Sequence, residues 1–315
     1  MVYEKNERNA IVKKLLFLLL VLTFSLTASD MIIIRGADGT EEFSKPLDAS
    51  VKKWQEIAAK AKISAILISG EQSKLQIDEL LMKSTKDSVT PLWIVYVGHG
   101  TYLNQEAKLN LKGPDISAAE LKKSLDQFKR EVIFINCASA SAPFIAQLSG
   151  KNRVVITATK SSQQVYYTKF NEFLADAMGH KDADIDKDSQ TSLFESFLYA
   201  SAEVKKYYEQ DKRISGESAV IDDNGDKLGS LADMFDGLKP KKPNAKIDGL
   251  RAHQIHLIPS EEEAKMPLEL RTRRNELERE LNLLKLKKDS LSEDEYYEKL
   301  EVILKKLAEI YKEDS

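Results

Sequence analysis

A cysteine and a histidine, each at the end of an apolar run, are the residues of this chain best placed to do chemistry. Val132-Ile133-Phe134-Ile135-Asn136 leads directly into Cys137, the single cysteine among 315 residues, and the small residues Ala138, Ser139, Ala140 and Ser141 follow. Upstream, Leu92-Trp93-Ile94-Val95-Tyr96-Val97 ends in Gly98-His99-Gly100. The attacking form of cysteine is the thiolate, and a neutral imidazole beside it can take the thiol proton, so the two strand ends suggest a nucleophile and its base. Sites in open α/β sheets form outside the carboxyl ends of the strands, where both residues fall. Acyl transfer also needs backbone N–H donors for the developing oxyanion. Gly100, which lacks a Cβ, and Cys137 itself are the candidate donors. The bland alternative is a buried cysteine that behaves as a small hydrophobe.

Two strands can present such a pair only within a sheet, and the rest of the chain supplies one. Met31 to Arg35, Ile63 to Ile68 and Val154 to Ala158 are further strand-like runs, and Gly216 to Ile221 reads as a final one. Helical spacing marks Leu47 to Ala61, the region of Ile77, Leu80 and Leu81, the region of Leu121, Leu125 and Phe128, Phe144 to Leu148, Tyr167 to Met178, and Leu193 to Tyr208. Ser117-Ala118-Ala119-Glu120 has capping-box spacing. Strands alternating with helices predict an α/β fold with a largely parallel sheet and helices on both faces.

The totals set bounds. A net charge of −3 gives no sign of nucleic-acid binding, and one cysteine excludes an intrachain disulfide framework. Lys5, Arg8, Lys13 and Lys14 precede the apolar run Leu15 to Leu26, which ends in small residues. Residues 1–29 therefore read as a cleaved signal peptide or an uncleaved N-terminal anchor, with the remainder exported to a periplasmic or extracellular space. The anchor is the only route to a membrane. Residues 30–238 form the α/β domain, 239–260 with Lys239-Pro240-Lys241-Lys242-Pro243 a linker, and 261–315 a helical hairpin of coiled-coil type. Leu270, Leu277, Leu281 and Leu284 share one helical face, and Leu300, Leu304, Leu307 and Tyr311 another, behind a capping box at Ser292-Glu293-Asp294-Glu295. Such a hairpin can fold back on the domain, self-associate with another copy, or hold a partner.

The order and context of these motifs resemble the legumain family within the caspase-like clan of cysteine peptidases: Gly98-His99-Gly100 after one strand, Cys137-Ala138-Ser139-Ala140-Ser141 after the next, one helix between. Asn110 to Ile116, Val155 to Thr159 and Asp222 to Asp226 extend the likeness, which covers about residues 32–226 and looks like the secreted bacterial branch. The resemblance implies a caspase-like sheet, with His99 as general base, Cys137 as nucleophile, and Gly100 with Cys137 as oxyanion donors. It also places one wall of the substrate pocket after the fifth strand, at Lys160, Ser161 and Ser162. The implied activity is hydrolysis of a protein or peptide substrate through a thioester, or transpeptidation where an amine captures that thioester. No cofactor is required for this catalysis. Asn136 and Ala140 depart from the family pattern, where a small residue and a glycine are usual. The alternative is a catalytically degenerate caspase-like scaffold, stabilised by calcium and acting as an interaction protein through its hairpin.

A second candidate site is acidic. Asp184, Asp186, Asp188, Gln190, Ser192 and Glu195 have the spacing of a calcium loop between helices, with Ser189 where glycine is expected. The alternative is a solvated turn whose carboxylates favour the start of the helix at Leu193. Asp222, Asn224 and Asp226 form a weaker calcium candidate or a polar turn. His253 and His256 have metal-compatible spacing but no third ligand nearby, and read as a solvated segment at the domain edge.

Overall fold

The computed structural model describes residues 30–242 and 246–313. The expected signal or anchor segment lies outside the described residues, among which no helix is long and apolar enough to cross a membrane.

The apolar runs become a seven-stranded sheet. In chain order β1 is Met31–Arg35, β2 Ala65–Ile68 and β3 Leu92–Val97. A small antiparallel sheet of β4 (Gly100–Leu103), β5 (Glu106–Leu109) and β6 (Ile116–Ser117) follows His99 directly. Then come β7 (Val132–Asn136), β8 (Arg153–Thr157), β9 (Val220–Asp222) and β10 (Ser230–Leu231). The large sheet runs β10-β9-β8-β7-β3-β1-β2, parallel from β2 to β8 and antiparallel at β9 and β10. Central parallel strands are covered on both faces, which is why β1, β3, β7 and β8 are continuous apolar runs buried throughout.

Strand side chains alternate between faces, and the two cores follow that parity. Met31, Ile33, Val95, Val97, Ile133, Ile135 and Cys137 pack against Trp54, Phe170, Leu174 and Phe197. These come from helices α1 (Glu41–Lys60), α5 (Phe170–Ala177) and α6 (Leu193–Gln210). Ile32, Ile34, Ile94, Tyr96, Val132 and Phe134 pack on the other face against Ile77, Leu81, Leu121, Leu125 and Phe144. There the helices are α2 (Ser73–Lys83), α3 (Ala118–Leu125) and α4 (Pro143–Leu148). The expected capping box forms: the Glu120 N–H donates to the Ser117 hydroxyl at 3.2 Å, and the Ser117 N–H to the Glu120 carboxylate at 2.8 Å. Between β4 and β5, Asn104 and Gln105 both have positive φ, +50° and +63°, the backbone of a two-residue hairpin turn.

Four expectations are corrected. α5 begins at Phe170, because residues 167–169 are drawn across the end of β7. β9 starts at Val220 rather than Gly216. The expected linker at 239–260 is largely part of the domain. Within it Ala252, Ile255 and Leu257 join the first core, and the Leu193 N–H donates to the Ile255 carbonyl at 2.7 Å. Its anchor is Asp248, 2% exposed, whose carboxylate accepts from the N–H groups of Asp223 and Asn224 and from the Ser230 hydroxyl. His253 and His256 accordingly do not lie in a solvated edge segment. His253 Nδ1 is 3.2 Å from the Ser192 hydroxyl, and the half-buried His256 has its pKa lowered by desolvation.

The hairpin is α8 (Leu268–Leu286) and α9 (Glu293–Glu313), preceded by the short α7 (Glu261–Lys265). α8 leans on the domain: the Gln254 side-chain amide donates to the Asn275 carbonyl at 2.7 Å, and Arg279 donates to Gln254 at 2.9 Å. α9 packs on α8 through Tyr296, Leu300, Ile303 and Leu307, so Leu304 and Tyr311 of the expected stripe are not on the buried face.

Burial pushes the Asp248 carboxyl up to about 8, against about 3.9 in an unfolded chain. The folded protein therefore keeps this proton to higher pH than the unfolded chain does. The stability it contributes is present below pH 4 and is lost as pH rises toward 8. Asp248→Asn keeps an oxygen for the two N–H donors and removes the titration. Its Tm relative to the unchanged protein is expected to rise steadily between pH 5 and pH 8; a difference flat in pH sinks the assignment.

Candidate active site

β3 and β7 are neighbours, with Tyr96 opposite Asn136. Continued one or three residues past that pair, strand parity turns both Cys137 and His99 to the face of α1 and α5. The His99 ring lies between Gly39, the Phe43 ring (centroids 4.9 Å apart) and the Tyr167 ring (6.2 Å). Its Nε2 is 3.1 Å from the Asp38 carbonyl oxygen. An oxygen with no proton to give fixes the tautomer: Nε2 carries the hydrogen and donates, and Nδ1 is left as the acceptor. The same carbonyl can stabilise the imidazolium once Nδ1 takes a proton.

Asp38 is itself held in place. Arg35, 6% exposed at the end of β1, pairs with the Asp38 carboxylate and, at 2.7 Å, with Asp48 of α1. The neighbouring guanidinium holds the Asp38 carboxyl below the usual carboxylate range. Nothing in the sequence marked Arg35 or Asp38 for this role beyond the Asp-Gly turn that ends the first strand.

The turn after Cys137 is bonded on two sides. The Ser139 hydroxyl donates to the Gly100 carbonyl at 3.3 Å, joining it to the histidine strand. The Ser141 N–H donates to the Thr159 hydroxyl at 2.8 Å, and the Thr159 N–H to the Ser141 hydroxyl at 3.2 Å, joining it to the end of β8. The two serines of Cys-x-Ser-x-Ser thus have separate structural tasks. Asn136 contributes its side-chain oxygen to the Ala138 N–H at 3.0 Å. Ala140 has φ +50°, the left-handed region that favours glycine.

The structure does not leave both expected oxyanion donors available. The Cys137 N–H donates to the Tyr96 carbonyl at 3.1 Å, because the parallel ladder continues one residue beyond β7. This corrects its assignment as a donor. Gly100 does lie close: a Cβ there would come 2.5 Å from the Ser139 carbonyl oxygen.

Cys137 and His99 are not hydrogen-bonded, and Cys137 is 3% exposed. The segment after β8 covers it. The Thr168 hydroxyl donates to the Cys137 carbonyl, and the Ala140 N–H donates to the Gln164 carbonyl at 2.8 Å. The Tyr167 ring stacks on Phe43 at 5.1 Å. Behind the segment, the Glu217 carboxylate accepts from the N–H groups of Lys169 (2.7 Å) and Phe170 (3.0 Å) and from the Tyr208 hydroxyl (3.0 Å). Burial, with the Glu217 charge added, pushes the Cys137 thiol well above its ordinary pKa. The thiol here is protonated and screened. Tyr167, Thr168 and Glu217 were not singled out in the sequence, since only their tertiary placement gives them a role.

Of the expected pocket residues, Lys160 lines a groove of about 750 Å³ whose walls include Phe170, Leu198, Tyr208, Glu217 and Phe235; Ser161 and Ser162 do not line it. Ser161 instead shapes its own loop, accepting from the N–H groups of Gln163 and Gln164.

At the acidic loop, Asp184, Asp186 and Asp188 bring carboxylate oxygens within 4.8 Å of one another, and Ser189 has φ +73° where the glycine was expected. Glu195 is engaged elsewhere. One oxygen accepts from the Ser192 N–H and hydroxyl, capping α6, and the other from the N–H groups of Ile185 and Asp186. The Gln190 side chain bonds Asp188 and the Ser260 N–H. The segment entering the loop is the single turn Lys181–Ala183 rather than a long helix. A cation would have the aspartate trio, and would have to displace these bonds to complete the set of Asp184, Asp186, Asp188, Gln190, Ser192 and Glu195. Asp222, Asn224 and Asp226 each accept from backbone N–H groups within residues 225–228, closing a polar turn.

No protein-family model matches the sequence, and no curated protein sequence matches it. Among solved structures, the chain is similar to the Drosophila initiator caspase Dronc, at 10% identity and a TM-score of 0.45, over 62% of this chain and 79% of that one. It is also similar to caspase-1 from Spodoptera frugiperda, at 8% identity and a TM-score of 0.42, over 62% of this chain and 86% of that one. Both are likenesses of fold alone.

Two outcomes follow from the turn and its cover. Ala140→Gly relieves left-handed strain of about 1–2 kcal/mol and loses part of that to greater freedom of the unfolded chain, for a net gain of about 0.5–1 kcal/mol in chemical denaturation. A loss of stability in this variant means that the turn is unstrained. Thr168→Ala removes a buried hydrogen bond of about 1–1.5 kcal/mol from the cover. Iodoacetamide labelling of Cys137 is then expected to quicken about tenfold, and an unchanged rate shows that another element sets access.

Proposed function

We propose that this chain is a cysteine endopeptidase of the legumain kind, acting on peptide bonds when the segment 161–168 lifts from Cys137. The observation that carries this reading is the placement of His99 and Cys137 at the carboxyl ends of adjacent parallel strands, on one face, with the His99 ring oriented by the Asp38 carbonyl. His99 Nδ1 takes the Cys137 thiol proton, and the sulfur attacks the substrate carbonyl carbon. The tetrahedral oxyanion is met by the Gly100 N–H, with a second donor drawn from the turn once the cover lifts and releases the Ala140 N–H from Gln164. The amine leaves with the proton from His99, giving a thioester. Water, deprotonated by His99, adds to the thioester, and the acid product departs as the thiol is restored. An amine in place of water gives the transpeptidation product.

A second reading is the catalytically degenerate scaffold. It is favoured by the buried, protonated thiol and by the commitment of the Cys137 N–H to the sheet. The two readings separate on one experiment. A fluorogenic peptide library is expected to show turnover that Cys137→Ala abolishes. His99→Ala is expected to lower kcat by about 10²–10⁴, the usual contribution of a general base. Turnover at the unchanged rate in Cys137→Ala overturns the peptidase reading. No turnover from folded protein, even with Thr168→Ala, supports the scaffold.

A further inference from the structure

α9 carries two stripes of one spacing, and the hairpin covers the wholly apolar one. The covered stripe is Tyr296, Leu300, Ile303 and Leu307, against Leu277, Leu281 and Leu284 of α8. The other begins one residue later with the same four-three-four spacing: Tyr297, Glu301, Leu304 and Ala308. Tyr297 and Leu304 are 51% and 47% exposed, and with Leu300, Glu301, Lys305 and Ala308 they line a shallow groove along the helix. That spacing is the seam of a left-handed helix pair, so this face is shaped to receive another helix.

The charges beside the groove say which helix. At about 100° per residue, Asp294, Glu298, Glu301, Lys305 and Lys312 fall within an arc of about 60°, on the flank turned away from α8. The first three, all acidic, occupy the amino-terminal half of this flank, and the two lysines occupy the carboxyl-terminal half; all five are exposed. When two antiparallel helices meet, each flank faces its own counterpart running the other way. This flank is therefore complementary to itself: acid meets base along its length. A parallel pairing would set it against the flank turned to α8 and leave the charges unanswered.

We infer that two copies of this chain associate through α9, antiparallel, about a two-fold axis passing between Val302 and Ile303. That axis maps the groove onto itself. Tyr297 lies over Ala308 of the second copy, a large side chain over a small one, and Leu304 sits level with Glu301 of the second copy, beside its Leu304. Glu301 comes within about 1.5 Å, along the helix axis, of the level of Lys305 of the second copy. In one copy alone Glu301 and Lys305 already pair at 2.5 Å, so association extends an existing pair into a four-membered alternation. A single helix seam buries less than a standard interface, so the association is concentration-dependent.

The test is sedimentation of the whole chain over roughly 5–500 µM, the range in which small interfaces assemble. A monomer–dimer equilibrium is expected. Leu304→Glu, at a half-exposed position that leaves the hairpin core untouched, should weaken it at least tenfold. Lys305→Glu should weaken it as well, and Glu301→Lys combined with Lys305→Glu should recover it to within about threefold. Orientation is read by disulfide trapping in a Cys137→Ala background: Tyr297→Cys mixed with Ala308→Cys crosslinks, while neither does so alone. A monomer throughout the range, association indifferent to Leu304→Glu, a double charge swap that recovers nothing, or Tyr297→Cys crosslinked to itself each overturns the inference.

Discussion

The candidate active site depends on one buried hydroxyl. Tyr96 projects to the face of the sheet opposite His99 and is wholly buried, and its Oη lies 2.7 Å from the His99 carbonyl oxygen and 2.9 Å from that of Asn110. Each of those carbonyls also accepts a backbone N–H, that of His99 from Asn110 at 3.0 Å and that of Asn110 from Ala37 at 2.8 Å, so the hydroxyl with its one proton adds a further tie where the two segments cross. The crossing is tight enough to dictate its neighbours: a Cβ on Gly36 would meet the Tyr96 oxygen at 2.3 Å, and one on Gly98 at 2.6 Å. The glycine before His99 therefore has a steric reason. With backbone clamped on one face, the imidazole is delivered to the other, where Arg35 and Asp38 present a carbonyl to its Nε2. The imidazole is fixed from behind by a tyrosine and from in front by an arginine that ends the strand entering the turn it organises.

The cysteine is positioned by a different kind of device. Its turn is bonded through Ser139 to the histidine strand and through Ser141 to β8, so the three strand ends are linked by side chains where the ladder stops. Rigidity of this sort suits a nucleophile that must hold its geometry. The thiol itself is in the opposite condition, buried and protonated beneath residues 161–168, with the Glu217 charge behind them. The two facts fit together if the cover belongs to a resting state. Lifting it hydrates the thiol and lowers its pKa without disturbing the serine bonds; the cover is tied to the turn by other bonds, Thr168 to the Cys137 carbonyl and the Ala140 N–H to Gln164.

What was legible in the sequence divides along physical lines. Continuous apolar runs identified β1, β3, β7 and β8, because a strand buried on both faces has no polar side to interrupt it. Their position at the carboxyl ends of two strands then placed His99 and Cys137 in one site, and the serine–glutamate spacing at 117–120 marked a cap. The failures share a cause, which is that the deciding partner is remote in sequence. Asp248 ties 246–257 into the domain through residues some 25 positions away, so proline and lysine at 239–243 suggested a linker that ends sooner. Glu195 has a calcium-loop spacing and a capping-box spacing at once, and only the course of the backbone shows the cap being made. The Cys137 N–H is taken because the ladder runs one residue past the apolar pattern. In α9 two stripes of equal spacing lie one residue apart, and periodicity drew Leu300, Leu304, Leu307 and Tyr311 from both.

The turn at 136–140 bears on the choice between peptidase and scaffold. Within five residues lie a fully buried asparagine whose Nδ2 has no partner, a buried thiol pushed toward its neutral form, and an alanine in the left-handed region. The unpaired amide and the left-handed alanine are each a local cost of about 1–3 kcal/mol that the surrounding sheet must offset; the neutral thiol, a small hydrophobe, adds none. A scaffold needs neither of these two costs; a glycine and an apolar residue would close the same connection with less strain. Local rules broken together at one strand end, beside an oriented imidazole, are the pattern expected where side chains are held for chemistry rather than for stability. The strain at Asn136 and Ala140 is thus an argument for the proposed peptidase, whereas the buried thiol is the observation on the side of the scaffold.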